Sequence, residues 1–260
     1  MIVVDFQHAK ILFSNQSPKS KTLVVIPILN EGNRILNQLS RMQGLGTQFD
    51  IAIVDGDSKD GSVEEIVEKN LDNVIVIIKD LSKIGLSRQL QIGLAFGLKN
   101  SYQHIITMDG NNKDNPNGIS EIVRALDLGY DFVQGSRFVA GGEAINNPRV
   151  RTLAIKLIHA PITSLLARFK FTDSTNGFRG FSRRILSDSG MKIFDPRFKT
   201  YELVAYIPVR AAKLSYRLCE VGVIREYPTE NGIPTKIVGV KANLRILWIL
   251  LRQCMAARFN

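Results

Sequence analysis

Apolar residues in the first half of the chain alternate between two spacings. Five short and mostly apolar runs have the composition of buried strands, and stretches with apolar residues three or four positions apart separate them. The runs are Leu23–Leu29, Ile51–Val54, Val74–Ile78, His104–Met108 and Phe132–Gln134. Strands that alternate with helices of this length predict an α/β fold, with a mainly parallel central sheet and helices on both of its faces.

The stretches between these runs predict four helices. Pro116 suits the start of the fourth helix, and Ser62 followed by Glu65 has the pattern of a capping box at the start of the second. The first three helices are marked by apolar residues at helical spacing: Ile35, Leu36, Leu39 and Met42; then Val63, Ile66 and Val67; then Leu86, Leu90, Leu94 and Leu98.

Carboxylates follow three of the predicted strands. Glu31 comes after the first, Asp55 and Asp57 after the second, and Asp109 after the fourth. In any single loop such residues are ordinary turn formers, but carboxylates gathered at one sheet edge repel unless something cationic binds between them. Ligands of open parallel sheets bind at this edge. Because the glycine-rich dinucleotide fingerprint and the P-loop are both missing, a Rossmann dehydrogenase and a P-loop NTPase are disfavoured.

Composition narrows the class of protein. The chain has 260 residues, of which 45% are hydrophobic, as in ordinary globular proteins. The longest run without a charged residue, Leu157 to Ala167, is shorter than the roughly 20 apolar residues of a membrane-spanning helix, so we predict no span. The charged N-terminus does not resemble a secretory signal. Two cysteines are too few for a disulfide scaffold, which favours a cytoplasmic location.

The net charge of +10 is concentrated in two segments, Pro148–Lys170 and Lys236–Asn260, which contain basic residues and no acidic ones. Such patches favour an anionic partner: a membrane, a phosphate or a nucleic acid. On a C-terminal helix, Lys241, Arg245 and Arg252 lie on one side beside Trp248 and a wide apolar face. We therefore predict a domain over 1–235 followed by an interfacial helix over 236–260, with packing on the domain or on a partner subunit as the alternative.

Six motifs in register resemble those of family 2 glycosyltransferases with the GT-A fold, closest to the dolichyl- or polyprenyl-phosphate sugar synthase branch. The similarity covers roughly residues 22 to 236. The segments that carry it are Val25-Ile26-Pro27 through Asn30-Glu31, Val54–Ser62, Gly85–Gly93, Met108-Asp109-Gly110-Asn111, Gly135-Ser136-Arg137-Phe138 and Asp173–Arg179.

The resemblance implies an enzyme that transfers a sugar, with inversion, from a UDP- or GDP-linked sugar to a polyprenyl phosphate or to a lipid-linked or saccharide acceptor. It implies Mg²⁺ or Mn²⁺ held by Asp109 and Asn111. The residues implied in catalysis are Asp109, Arg137, Asp173 and Arg179. The residues implied in binding the nucleotide sugar are Pro27, Leu29, Glu31, Asp55, Asp57, Arg88 and Lys236.

Two positions and one late segment depart from the family pattern. Asn111 replaces the second carboxylate of the metal motif, so we expect weaker metal binding or a contribution from Asp114. Asp57 stands where a glycine is usual, which leaves the geometry of that turn open. Lys236 alone matches the late R-x-x-G-x-S-K segment of the branch.

The chemistry of the acceptor decides whether a base is needed. A phosphate monoester is mostly doubly charged near neutrality, because its second pKa is about 6, and it attacks without losing a proton. Arg137 and Arg179 suit the binding of such a phosphate through paired hydrogen bonds. A sugar hydroxyl needs a general base, for which Asp173 is the candidate. Structural ion pairs remain the alternative for all three residues.

Two other functions are less well supported. A nucleotidyltransferase usually has a glycine-rich basic opening loop, which is absent from Pro27–Arg34. A nucleic-acid-binding protein would have aromatic residues among the basic ones, whereas the basic segments contain mostly Leu, Ile and Val. We therefore predict no nucleic-acid partner and a peripheral position on the cytoplasmic face of a membrane. A homodimer remains an open alternative.

Overall fold

The computed structural model describes residues 8–14, 18–45, 48–228 and 240–259, with side chains in the last range from residue 247 onward. The strands are β1 (Ala9–Ser14), β2 (Thr22–Ile28), β3 (Asp50–Asp55), β4 (Val74–Asp80), β5 (His104–Thr107), β6 (Phe132–Ser136), β7 (Glu143–Ile145), β8 (Arg179–Ser182), β9 (Leu218–Gly222) and β10 (Ile224–Glu226). The α-helices are α1 (Asn33–Gln43), α2 (Ser62–Lys69), α3 (Leu86–Lys99), α4 (Gly118–Asp127), α5 (Arg149–Ala154), α6 (Ala160–Ala167), α7 (Arg183–Ser187), α8 (Glu202–Lys213) and α9 (Val240–Phe259). A π-helical turn, Ile155–His159, joins α5 to α6.

Eight strands form the central sheet in the order β1-β4-β3-β2-β5-β8-β6-β9. Strands β4, β3, β2 and β5 are parallel to one another, whereas β1 pairs antiparallel with β4, and β8 pairs antiparallel with β5 and β6. The five predicted strands and the mainly parallel sheet are confirmed. The antiparallel strands and a small second sheet of β7 and β10 were not predicted.

Two apolar clusters cover the two faces of the sheet. Successive residues of β2 alternate between them: Leu23 and Val25 belong to one cluster, and Val24 and Ile26 to the other. This alternation follows from the two-residue period of a strand and explains why β2 is buried along its whole length. The four predicted helices are confirmed as α1 to α4.

Helix α3 lies close to the sheet because two of its residues are glycines. A Cβ at Gly93 would lie 2.2 Å from a methyl group of Val25, and one at Gly97 would lie 2.4 Å from a methyl group of Ile105. The start of α2 differs from the prediction. Ser62 is the first helical residue, and its hydroxyl donates to the Asp60 carboxylate rather than capping the helix, so the capping box is wrong.

Helix α9 packs one face on α8, as the alternative interpretation predicted. Ile249, Leu250, Cys254 and Ala257 are buried, whereas Trp248 keeps 57% of its surface exposed. The boundary at 235/236 and Lys236 lie outside the described residues, as do the side chains of Lys241 and Arg245. The interfacial role of this helix stays a prediction.

The continuous helix formed by α5, the π-helical turn and α6 is long and apolar enough to cross a membrane, judged by length and composition alone. The prediction of no span rested on runs free of charge, and this helix of 19 residues contains Arg149, Arg151 and Lys156. Only 22% of its apolar window is buried in the fold. It therefore presents an exposed apolar surface beside the site described next.

Candidate active site

The loops after β2 and β3 are linked by hydrogen bonds. The Asn30 backbone N–H donates to Ser58 Oγ at 2.9 Å, and the Lys59 N–H donates to Asn30 Oδ1 at 2.8 Å. Beneath them the buried Gln89 side chain of α3 donates to the carbonyl oxygens of Ile28 and Val54. Gln89 therefore fixes the spacing of the two strand ends. No sequence motif singled it out.

Asp55 and Asp57 occupy the turn after β3. The buried Asp55 carboxylate accepts the Ser58 N–H at 3.0 Å, which shapes the turn. Asp57 has φ 73°, so it adopts the left-handed conformation that glycine would favour. Hydrogen bonds from Lys59 and Lys79 lower the pKa of Asp57 to about 2. The predicted roles of both aspartates in nucleotide binding stay predictions.

The other predicted donor-site residues surround the same strand ends. Pro27 is buried in β2 and lines a narrow cavity next to Asp109. Leu29 is half-buried, and the Glu31 carboxylate accepts a hydrogen bond from Arg34 at 3.0 Å. Arg88 lies half-buried in the first turn of α3. Their positions at one sheet edge agree with a shared ligand site, and their individual roles stay predictions.

Asp109 and Asp114 share one arginine. The Arg225 guanidinium donates through Nη2 to Asp109 at 2.9 Å and through Nη1 to Asp114. Nη1 also donates to Asn176 Oδ1 at 3.2 Å. Arg225 and Asp114 are buried, whereas the Asp109 side chain keeps 30% of its surface exposed. Asp109 is therefore the member of this cluster that lines the narrow cavity at the end of β5.

The protonation equilibria of the two aspartates differ because their surroundings differ. Burial opposes ionisation of Asp109, but the Arg225 charge holds the pKa of its carboxyl below the ordinary value. Burial raises the pKa of Asp114, and the Asp114 Oδ1 atom has no hydrogen-bond partner among the described residues. Asp109 is therefore ionised at neutral pH and is the more exposed of the two carboxylates.

Three cations surround the ring of Tyr227. The Lys113 Nζ lies 4.7 Å from the ring centroid, and the guanidinium carbons of Arg151 and Arg225 lie 5.7 and 5.9 Å from it. Arg151 also donates to the Tyr227 hydroxyl at 2.8 Å. Burial, followed by the nearby Arg225 charge, lowers the pKa of Lys113 to about 8. Sequence reasoning assigned none of these residues to the site, although Lys113 lies in a loop that it examined.

The residues around Asp109 do not match the divalent-cation site that the resemblance implies. The second position is the neutral Asn111, whose Oδ1 accepts the Lys113 backbone N–H at 3.3 Å. The expected contribution of Asp114 is absent, because that carboxylate is fully buried and bound to Arg225. Over the ranges that the structure describes, no three His, Cys, Asp or Glu side chains come together as a ligand set.

Arg137 and Asp173 bind each other. Nε and Nη2 of Arg137 donate to the two carboxylate oxygens at 2.6 and 2.8 Å, and both side chains are buried. Burial opposes the charge of Asp173, but Arg137 holds the pKa of its carboxyl below the ordinary value. The ion pair that the sequence analysis kept as the alternative is therefore present: Asp173 is buried, and Nε and Nη2 of Arg137 are engaged. The catalytic roles expected for the two residues stay predictions.

The Arg179 side chain hydrogen-bonds to the backbone of neighbouring segments. Its guanidinium donates to the carbonyl oxygens of Asn176, Val204 and Ser174, and burial lowers its pKa to about 10. It therefore fixes the loop before β8 against α8. Three of its five N–H groups are thus bound to backbone oxygens, and the expected role of Arg179 in holding the acceptor phosphate stays a prediction.

Comparison with known proteins gives a consistent result. The model of the family described as "Glycosyl transferase family 2" matches residues 23–190. The chain is 29% identical to polyprenol monophosphomannose synthase of Mycolicibacterium smegmatis, over 72% of this chain and 71% of that protein. It is 25% identical to undecaprenyl-phosphate mannosyltransferase of Micrococcus luteus, over 78% and 82%.

A solved structure shares the fold. Glucosyl-3-phosphoglycerate synthase from Mycobacterium tuberculosis, in complex with Mn²⁺, UDP and glucosyl-3-phosphoglycerate, superimposes with a TM-score of 0.58. The match covers 91% of this chain and 77% of that one, at 15% identity. The α/β fold of GT-A type expected from the sequence is thereby confirmed.

Proposed function

This chain belongs to glycosyl transferase family 2, and we propose that it transfers a sugar from a nucleotide-diphosphate sugar to the phosphate group of a polyprenyl phosphate. The names of both relatives support this acceptor. The observation that carries the proposal is that one helix, Arg149–Ala167, joins the cationic cluster around Tyr227 to an exposed apolar surface.

The two ends of a lipid phosphate fit these two surfaces. At the site, Arg151 contacts Tyr227, and the same ring faces Lys113 next to the Asp109 loop. On the outer side of the same helix, Val150, Leu153 and Leu157 are 80%, 56% and 70% exposed. A phosphate bound by Arg151 and Lys113 would place the attached hydrocarbon chain beside these apolar residues.

Phosphate as the nucleophile removes the need for a base. One phosphate oxygen attacks the anomeric carbon, the bond from that carbon to the nucleotide diphosphate breaks, and the configuration inverts. The acceptor is mostly a dianion near neutrality, so no proton has to leave it. The engagement of Asp173 by Arg137 supports this route, because a hydroxyl acceptor would need a free base.

We propose that the donor binds at the ends of β2 and β3. Asp55 would accept hydrogen bonds from the nucleobase, with Pro27, Leu29 and Glu31 along the other side of the base and Arg88 at the start of α3. The diphosphate would then lie over Asp109, whose side chain keeps 30% of its surface exposed.

Mg²⁺ or Mn²⁺ at Asp109 and Asn111 stays a prediction. The structural relative named above contains Mn²⁺. A divalent ion bound here would neutralise charge on the leaving diphosphate. In this chain, however, one oxygen of the Asp109 carboxylate already accepts a hydrogen bond from Arg225, and no step above is assigned to a metal.

A peripheral position on a membrane agrees with the same helix. Its inner side, which includes Ile155, Ala160 and Ala167, is buried against the domain, so the helix would lie on the bilayer rather than cross it. Lys156, Arg168 and Lys170 would meet anionic headgroups. Action on the cytoplasmic face is part of this proposal.

A screen of donors tests the function. The full chain would be incubated with radiolabelled UDP- and GDP-sugars and a short-chain polyprenyl phosphate, and label would be measured in the organic extract. We expect one donor to label the lipid, and no label when the lipid phosphate is omitted. Release of free sugar alone, with every donor, would contradict the proposal.

A further inference from the structure

We propose that Arg225 supplies the positive charge for the donor diphosphate, in the place that the family resemblance gives to a divalent cation. The inference rests on the proposed function, because it concerns how that donor is bound. It starts from a disagreement: the carboxylate expected to hold a metal ion is already bound to a guanidinium at 2.9 Å.

The charges around Asp109 are balanced by side chains. The carboxylates of Asp109 and Asp114 both pair with Arg225, the Lys113 ammonium group lies nearby over the Tyr227 ring, and Asn111 adds no charge. A divalent ion at Asp109 would lie beside a guanidinium and an ammonium group, and both would repel it. A site that attracts such an ion needs an excess of anionic oxygen ligands, which the described residues do not provide here.

Backbone hydrogen bonds of the residues before and after Arg225 hold it next to the Asp109 loop. The Asn115 N–H donates to the carbonyl oxygen of Ile224 at 2.9 Å, and the Glu226 N–H donates to that of Lys113 at 2.8 Å. The strand that carries Arg225 is therefore hydrogen-bonded on both sides of this residue to the loop that carries Asp109. The positive charge is fixed before any ligand arrives, which is the arrangement that stabilises developing charge most effectively.

The guanidinium has donors left for a ligand. Arginine carries five N–H groups and stays charged at any working pH. Among the described residues, its side chain makes three hydrogen bonds, to Asp109, Asp114 and Asn176. The diphosphate would approach over the exposed part of Asp109 and accept the remaining N–H groups. When the bond to the sugar breaks, the charge gained by the diphosphate meets Arg225 and Lys113.

Calorimetry of the full chain with UDP and with GDP tests the inference, in buffer with EDTA and in buffer with Mn²⁺. We expect one nucleotide to bind with the same affinity, within about twofold, in both buffers. Binding that needs Mn²⁺ would overturn the inference and leave the proposed function intact. If neither nucleotide binds in either buffer, the donor site of the proposed function fails as well.

The variant Arg225→Gln identifies the residue. In EDTA we expect nucleotide affinity to fall about tenfold or more, with partial recovery in Mn²⁺, because Asp109 and Asp114 are released. The control Arg197→Gln removes an 83% exposed arginine that also pairs with an aspartate, and should bind as wild type does. Unchanged binding by folded Arg225→Gln in EDTA would overturn the assignment.

A second variant covers the case in which Arg225→Gln does not fold. Asn111 is half-buried, and Asn111→Asp changes charge with little change of shape. We expect it to bind nucleotide more weakly in EDTA and to gain a response to Mn²⁺ that the wild type lacks. Tighter binding in EDTA would contradict a site whose cation is already balanced by side chains.

Discussion

The Arg137 guanidinium meets the Asp173 carboxylate through two hydrogen bonds, and both side chains are almost completely buried. Removing one partner of a buried ion pair leaves an uncompensated charge and costs about 3–5 kcal/mol. We therefore expect Arg137→Met to lower the free energy of unfolding by an amount of this order, measured by urea denaturation. Arg124→Met, at a 66% exposed arginine, is the control and should change it little. A stable Arg137→Met protein that has lost transfer would instead assign this arginine to the phosphate.

The Asp109 carboxylate occupies space that a side chain at position 177 would fill. A Cβ at this position would lie 2.7 Å from Asp109 Oδ1, so Gly177→Ala must displace that carboxylate. Because small displacements of a group that positions the substrate cost large factors in rate, we expect transfer to fall about 100-fold while the fold persists. Gly44→Ala is the control, since its new methyl group would be 3.7 Å from the nearest atom. Equal rates in the two variants would show that Asp109 need not keep its position.

The lysines around Asp57 make stability depend on pH. The folded pKa, about 2, lies below the ordinary value of 3.8, so ionised Asp57 stabilises the fold above about pH 4, and this contribution disappears as the pH falls towards 2. Asp57→Asn keeps the left-handed conformation. We expect the variant to unfold at lower urea concentration than wild type at pH 6, with a smaller difference at pH 3. A difference that grows in acid would contradict the pairing.

The exposed leucines of the Arg149–Ala167 helix should determine membrane binding. We expect the double variant Leu153→Ser and Leu157→Ser to float less than wild type with anionic liposomes at low salt, because it loses apolar surface that would enter the headgroup region. Leu128→Ser, at a 65% exposed leucine after α4, is the control. Flotation that responds equally to both changes would exclude this helix as the contact.

The parallel strands were predictable because their signal is local. Each of β2 to β5 is a short apolar run that ends at a turn former, and both features are visible in the sequence. Strands β7 and β10 have three residues each, which is too short to show the alternation of apolar and polar residues, so the sequence did not predict their pairing. The gathering of carboxylates at one sheet edge was predictable once the strands were known. The arginine that pairs with two of them, Arg225, was not predicted.

Arg225 shows why the site was only partly predictable. Its partners Asp109 and Asp114 lie more than one hundred residues earlier in the chain, and only the folded sheet brings them together. Arg137 and Arg179 were assigned to phosphate from their motifs, but their hydrogen bonds depend on burial, which the motifs do not encode. The sequence alone does not tell whether an arginine donates to a phosphate, a carboxylate or a backbone carbonyl oxygen.

The central claim is that the acceptor is a lipid phosphate. The most direct measurement gives the full chain its preferred nucleotide sugar together with either a short-chain polyprenyl phosphate or the matching polyprenol, and follows label into the extracted lipid. We predict transfer to the phosphate and none to the alcohol, because the cations around Tyr227 bind an anionic nucleophile and Asp173 is not free to act as a base. Equal transfer to the polyprenol, or transfer only to a saccharide hydroxyl, would contradict the claim.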